Sequence, residues 1–71
     1  EVFQRFEHPG IEFLHILEGR IEYRHGKHTY MMGPGDSLSF RGNVPHGPER
    51  LVRLPIKMLS IIMYGNDGNA R

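Results

Sequence analysis

The chain has 71 residues, no cysteine and a formal net charge of +1. This length suits one domain, and the absence of cysteine excludes disulfides, thiolate metal ligands and cysteine nucleophiles. The basic residues are spread along the chain, whereas a nucleic-acid-binding domain usually shows a clustered basic face. No apolar run approaches the roughly 18–20 residues of a membrane span. We therefore expect a small cytoplasmic domain that contacts neither nucleic acid nor membrane, and one that belongs to a longer protein.

The first third of the chain predicts short β-strands, because its apolar residues recur with a period of two rather than 3.6. Val2, Phe3 and Phe6 predict a first short strand that ends near His8, before the turn signal Pro9-Gly10. Residues 11–17 form a largely apolar run that ends at Glu18-Gly19, and residues 21–24 alternate as a half-buried strand does.

The middle of the chain predicts two more strands between glycine-rich turns. Residues 25–27 are typical of a hairpin tip, and residues 29–32 of its return strand. The Gly-Pro-Gly-Asp sequence at 33–36 favours a tight turn, since proline presets φ and glycine accepts positive φ. A strand follows at residues 38–40, and residues 42–48, with two prolines and two glycines, predict a loop.

The last segment predicts one long strand, residues 52–64, interrupted at Pro55 because proline cannot donate to a strand ladder. Residues 58–64 are apolar on both faces except for Ser60. We predict a single domain over residues 1–64, followed by a frayed tail over 65–71. About seven short strands separated by Gly/Pro turns indicate an all-β fold, either a sandwich or a small barrel. The strand count is low for a closed barrel, so a neighbouring subunit or further sequence would close its edges.

Two histidines and one carboxylate, His8, Glu12 and His46, are the candidate metal ligands. Imidazole and carboxylate are common ligands of divalent first-row metals, and this combination leaves coordination positions open. Strand pairing can bring together residues that are distant in the sequence. Each residue also has a purely structural interpretation: His8 as a turn cap, Glu12 as a surface ion-pair partner and His46 as a hydrogen-bonded loop residue.

These residues resemble the cupins, small β-barrels of the jelly-roll or double-stranded β-helix type. Their first motif is G-x5-H-x-H-x3/4-E-x6-G, and His8, Glu12 and Gly19 match its second histidine, its glutamate and its closing glycine. Their second motif is G-x5-P-x-G-x2-H-x3-N, and Gly35 and His46 match its first glycine and its histidine. The resemblance implies a cupin fold, with the two histidines and the glutamate as metal ligands.

The departures from these motifs bear on the metal. The first histidine of motif one falls on Phe6, whose ring cannot bind a hard or borderline cation. The proline, second glycine and asparagine of motif two fall on Arg41, Asn43 and Arg50. Either the three remaining ligands hold a divalent metal such as Fe, Mn, Ni or Zn, or the metal is lost and the cavity binds an organic ligand alone. Both interpretations stay open here.

Within the cupins, the chain looks like the C-terminal domain of bacterial helix-turn-helix transcriptional regulators, on residues 10–19, 23–26 and 45–50, followed by 54–56 and 59–62. This resemblance implies a domain that binds a small-molecule effector and forms a homodimer, while DNA is bound by a separate N-terminal segment. The alternatives are a metal-dependent enzyme of the dioxygenase, isomerase or decarboxylase type, and a purely structural barrel without a ligand.

Aromatic residues are the candidate contacts for the ligand of such a barrel. Long aromatic side chains facing the interior would form either its core or the wall of its cavity. The four residues that we predict to bind the ligand are Phe6, Tyr23, Tyr30 and Phe40.

Overall fold

The structure is a computed structural model that describes residues 2–64. Its described part contains four strands, β1 (Ile11–His25), β2 (His28–Met32), β3 (Ser37–Arg41) and β4 (His46–Met63), and no helix. The search for helices able to cross a membrane, made over the same residues, found none. The all-β prediction is confirmed.

The long strand β1 is the centre of one antiparallel sheet. Its first half pairs with β3 on one edge, as in Glu12 opposite Phe40, and its second half pairs with β2 on the same edge. Strand β4 runs along the other edge over nearly the whole length of β1, from Ile11 opposite Met63 to His25 opposite His46. The beginning of β4 therefore lies beside the end of β1, far from it in sequence.

The fold has fewer and longer strands than the sequence predicts, chiefly because Glu18-Gly19 does not end a strand. Gly19 adopts a positive φ of 90°, and β1 continues through a bulge at this point. Strand β4 lies very close to Gly19: a Cβ there would clash with the carbonyl oxygens of Arg53 and Pro55. Pro55 is accommodated within β4, which is an edge strand along this stretch.

The bulge also changes which residues of β1 face inward. Before it, the buried positions are even-numbered, as in Glu12 and Leu14, and after it they are odd-numbered, as in Ile21 and Tyr23. Three register shifts with β4 fall between Ile16 and Ile21, and a fourth falls between Glu22 and Tyr23. Because one extra residue inverts the alternation of a strand, Tyr23 faces the same side of the sheet as Glu12.

The predicted turns are confirmed, and two other predicted boundaries are wrong. The tip of the β1–β2 hairpin lies at Gly26-Lys27, and the turn at 33–36 is closed by the Gly33 amide, which donates to Asp36 Oδ2 at 2.8 Å. The predicted first strand, from Val2 to near His8, is reduced to a single bridge between Phe6 and His46. The predicted loop at 42–48 ends earlier, since β4 begins at His46. The predicted frayed tail lies outside the described residues.

The buried core is small and lies on the inner face of β1. It consists of Leu14, Ile16, Ile21, Tyr23, Met32 and Phe40. By contrast, the apolar residues at the end of β4 are exposed; Ile61 and Met63, for example, expose 46% and 58% of their surface. The core is thus concentrated around β1, and the end of β4 leaves apolar surface uncovered.

Candidate metal centre

The structure brings together the three predicted metal ligands. His8 lies before the turn that leads into β1, Glu12 is the second residue of β1, and His46 is the first residue of β4. The Nε2 atoms of His8 and His46 lie 2.8 Å and 3.1 Å from the same oxygen, Oε1 of Glu12. One ligand atom from each residue lies within 4.8 Å of the others, which is compact enough for a single cation.

Backbone carbonyls determine the tautomer of both imidazoles. Nδ1 of His8 lies 3.0 Å from the Pro9 carbonyl oxygen, and Nδ1 of His46 lies 2.8 Å from that of Val44. A carbonyl oxygen only accepts hydrogen bonds, so each Nδ1 carries the proton and donates. The neutral form of each ring then has its lone pair on Nε2, the atom that faces Glu12. This is the tautomer that metal ligation through Nε2 requires.

The Glu12 carboxylate is buried, and its second oxygen is held by a residue that sequence reasoning missed. Only 9% of the Glu12 side chain is exposed, and Oε2 accepts a hydrogen bond from Ser60 Oγ at 2.8 Å. A buried carboxylate is costly unless charge or hydrogen bonds compensate for it. The sequence feature that could have identified Ser60 is that it is the one polar residue in the apolar run 58–64.

Gly42 forms a flat wall against the imidazole of His8. A Cβ on Gly42 would clash with the ring atoms Nδ1 and Cε1 of His8. The Gly42 backbone cannot move away easily, because its amide donates to the Gly10 carbonyl at 2.8 Å and its carbonyl accepts from the His8 amide at 2.9 Å. Because Gly42 has no side chain, the His8 ring has room to lie beside Glu12.

His46 is almost completely buried, with 1% of its surface exposed. Its backbone exchanges two hydrogen bonds with Phe6, at 2.7 Å and 3.0 Å. The Phe40 ring lies against the imidazole, with a centroid separation of 4.7 Å. Phe6, which occupies the place of the missing family histidine, thus helps to position His46 through its main chain.

Two titratable groups of the site have shifted pKa values. The pKa of His8 is raised above its ordinary value of 6.5, chiefly by the hydrogen bond to the Pro9 carbonyl and then by the one to Glu12. The pKa of Tyr23 is raised, first by burial and then by the negative charge of Glu12. The hydroxyl of Tyr23 therefore keeps its proton at physiological pH and can donate a hydrogen bond.

An open cavity of about 310 Å³ adjoins the three ligands. Of the four residues predicted to bind a ligand, Phe6 and Tyr23 line this cavity, whereas Tyr30 and Phe40 do not. Tyr30 lies on β2 with 40% of its surface exposed, and Phe40 is buried in the core beside His46. The remaining wall is formed by Leu14, Pro48, Met58 and Ile62.

Residues 1–62 match the family model of the cupin domain. The chain is a cupin. Searches of the curated proteins and of the solved structures returned no match. Membership of the cupins supports a small-molecule-binding or metal-dependent function in general terms.

Proposed function

We propose that His8, Glu12 and His46 of this cupin bind one divalent cation. The observation that carries this proposal is the convergence of two Nε2 lone pairs on one carboxylate oxygen. Three acceptor atoms repel one another unless protons or a cation lie between them. A divalent cation satisfies all three atoms at once, so the donor set fits a metal.

The chemistry of the ligands limits which metals are suitable. Two imidazoles and one carboxylate suit Fe, Mn, Ni or Zn and are fewer ligands than these ions accept. A bound cation would supply a Lewis acid with positions open to a ligand from the adjoining cavity. The chain itself supplies the orientation of both rings, the hydrogen bond to Glu12 and an apolar wall.

A metal titration tests the proposal. We expect calorimetry of the metal-free protein to show one site for Zn²⁺ or Ni²⁺. His46→Ala should weaken this binding by more than about 100-fold, because it removes a ligand and not merely its support. His28→Ala is the matched control, since His28 is an exposed histidine of β2 outside the group. Absence of stoichiometric metal in the unaltered protein, or equal binding by His46→Ala, would contradict the proposal.

We infer further that this cupin is the effector-sensing and dimerisation domain of a bacterial transcriptional regulator. The cavity beside the metal ligands supports effector binding, and Phe6 and Tyr23 in its wall are the predicted contacts that adjoin it. The net charge of +1 supports DNA binding by another segment. The effector would act by binding one dimer arrangement better than another, which shifts the equilibrium between them.

An apolar patch on the outer face supports the homodimer. Strand pairing places three apolar residues of β4 beside β1: Met63 opposite Ile11, Ile61 opposite Phe13 and Leu59 opposite His15. The three β4 residues are exposed and carry no charge, so two copies of the patch could meet without repulsion. Exposed apolar patches of this kind mark interaction sites, and symmetric dimers are the commonest oligomers. Sedimentation at micromolar concentration should therefore show a dimer, and a monomer would contradict the proposal.

A metal-dependent enzyme is the second candidate, because the three ligands adjoin a cavity that could hold a substrate. The complete gene separates the two candidates. A helix-turn-helix segment of roughly 60–70 residues on the N-terminal side of this domain is the expected result for a regulator. A reading frame that encodes the cupin alone would contradict the regulator and favour the enzyme.

A further inference from the structure

The hydroxyl of Tyr23 is a buried polar group without a partner. Tyr23 exposes 4% of its surface and lines the cavity, and no hydrogen bond joins its hydroxyl to any residue of the described range 2–64. Buried polar side chains nearly always have a hydrogen-bond partner. A donor left free in a cavity wall is therefore a position that a bound molecule can satisfy.

The rest of the cavity wall restricts the kind of molecule that fits. Apart from Tyr23 and the three metal ligands, the wall is apolar, formed by Phe6, Leu14, Pro48, Met58 and Ile62. It contains no lysine, arginine or amide side chain among the described residues. A volume of about 310 Å³ is at the lower limit for small-molecule cavities. The wall thus suits a small apolar body and offers nothing to neutralise several anionic groups.

Charge balance indicates how many anionic groups the molecule should carry. Glu12 contributes one negative charge and the two neutral imidazoles contribute none, so a divalent cation bound to them leaves the site with one net positive charge. One carboxylate balances that charge, and a second carboxylate would be left without a counter-charge in an apolar cavity. Without the cation the site has no net positive charge that could bind a carboxylate.

We propose that the metal-loaded cavity binds a small apolar monocarboxylate, and that the Tyr23 hydroxyl donates a hydrogen bond to its carboxylate. This inference rests on the proposed metal site and extends it to the class of ligand. Tyr23 acts as a binding residue that selects for the anionic oxygen, while the apolar wall selects for the body of the molecule.

Three probes with a common six-carbon chain test the class of ligand by calorimetry. They are hexanoate, with one charge, hexanamide, with none, and adipate, with two. Zinc binding is measured first, alone, and each probe is then titrated into zinc-loaded and metal-free protein. We expect hexanoate to bind the zinc-loaded protein about tenfold or more tightly than either other probe, and not to bind the metal-free protein.

Removal of the Tyr23 hydroxyl tests whether this residue binds the carboxylate of the ligand. Tyr23→Phe should weaken hexanoate binding about tenfold, because a hydrogen bond to a charged acceptor is lost, and should leave zinc affinity unchanged. Tyr30→Phe is the matched control, since Tyr30 is an exposed tyrosine outside the cavity.

Each outcome has a distinct meaning. Equal binding of hexanamide or adipate to the zinc-loaded protein overturns the monocarboxylate class, and unchanged hexanoate affinity in Tyr23→Phe overturns the role of Tyr23. Failure of zinc to bind in the first titration contradicts the metal site itself, and the ligand class falls with it. The separate zinc titration distinguishes that failure from failure of the ligand class.

Discussion

The two ends of strand β4 differ in how far their residues are buried and hydrogen-bonded within one chain. At the beginning of β4, His46 is almost fully buried, its Nδ1 bonds to a carbonyl, and its main chain is paired on both sides, with His25 and with Phe6. At the other end, Leu59, Ile61 and Met63 are apolar and exposed. Isolated exposed apolar residues are ordinary, but a registered group across two strands is not. The polar site is therefore assembled within one chain, whereas the apolar side chains at the end of β4 stay exposed and form the surface of the proposed dimer.

Among residues that are not themselves candidate ligands, the largest expected effect on the metal group is that of Gly42→Ala. The new Cβ should push the His8 ring out of the group, which we expect to weaken Zn²⁺ binding by up to about 100-fold. Gly42 has no positive φ, so alanine adds little backbone strain and the metal-free fold should persist. Calorimetry measures the affinity, and thermal unfolding of the metal-free variant measures the fold.

A double-mutant cycle shows whether Gly42 acts through His8. In a His8→Ala background the ring is absent, so Gly42→Ala should have almost no further effect on Zn²⁺ affinity. Gly33→Ala is a control for glycine loss alone, since Gly33 has no positive φ and a Cβ there would meet only the guanidinium group of Arg20 at ordinary contact distance. Additive effects of the two substitutions would contradict a positioning role for Gly42.

The next effect concerns the exposed end. Ile61→Lys places a charge in the apolar patch, and desolvating that charge should weaken the dimer by roughly 10- to 100-fold. Sedimentation over a concentration series measures the change. Thr29→Lys, on the exposed surface of β2, is the control and should leave the dimer intact. Zinc affinity should be nearly the same in both variants, because Ile61 alternates along β4 with Ser60 and Ile62, which reach Glu12 and the cavity, and so lies on the opposite face of the strand.

A smaller effect is expected from Ser60→Ala, which removes the hydrogen bond to Oε2 of Glu12. Loss of a partner of a metal-ligating carboxylate typically costs about tenfold in affinity. Ser60→Thr keeps the hydroxyl and should restore most of the binding. If alanine and threonine behave alike, the hydroxyl does not orient Glu12.

The smallest expected effect is a pH dependence of the metal-free fold. Because folding raises the pKa of His8 above 6.5, protonated His8 stabilises the fold below that pH, and this contribution is lost as the pH rises through the raised pKa. Urea unfolding at pH 5.5 and pH 8 should show the difference, and His8→Ala should reduce it. An unchanged difference in His8→Ala would assign the effect to other groups.

The sequence predicted the candidate ligands correctly as a group but not the residues that support them. His8, Glu12 and His46 follow from their residue types and from spacings that match the cupin motifs. Gly42 lies in a stretch that predicts only a turn, and Ser60 looks like a polar interruption of an apolar strand. Their roles depend on which side chain lies across from them, and strand register decides that.

The strand boundaries also divide into those that the sequence predicts and those that depend on distant parts of the chain. The hairpin tip at Gly26 and the turn at 33–36 were predictable, since glycine and proline act on the backbone of their own residues. The continuity of β1 through Gly19 was not, because the carbonyls of Arg53 and Pro55 that lie against this glycine belong to a distant part of the chain.

The sequence by itself determined the all-β class, the turns and the residue types of the candidate metal ligands, because alternation, turn propensity and ligand chemistry are local properties of residues. Only the tertiary structure decided that Tyr23 faces the same side as Glu12, that its hydroxyl has no partner among residues 2–64, and that the end of β4 is left uncovered. The physical reason is the irregular pairing between Ile16 and Ile21: the alternation of β1 inverts at Leu17-Glu18, and the pairing with β4 determines where that inversion falls.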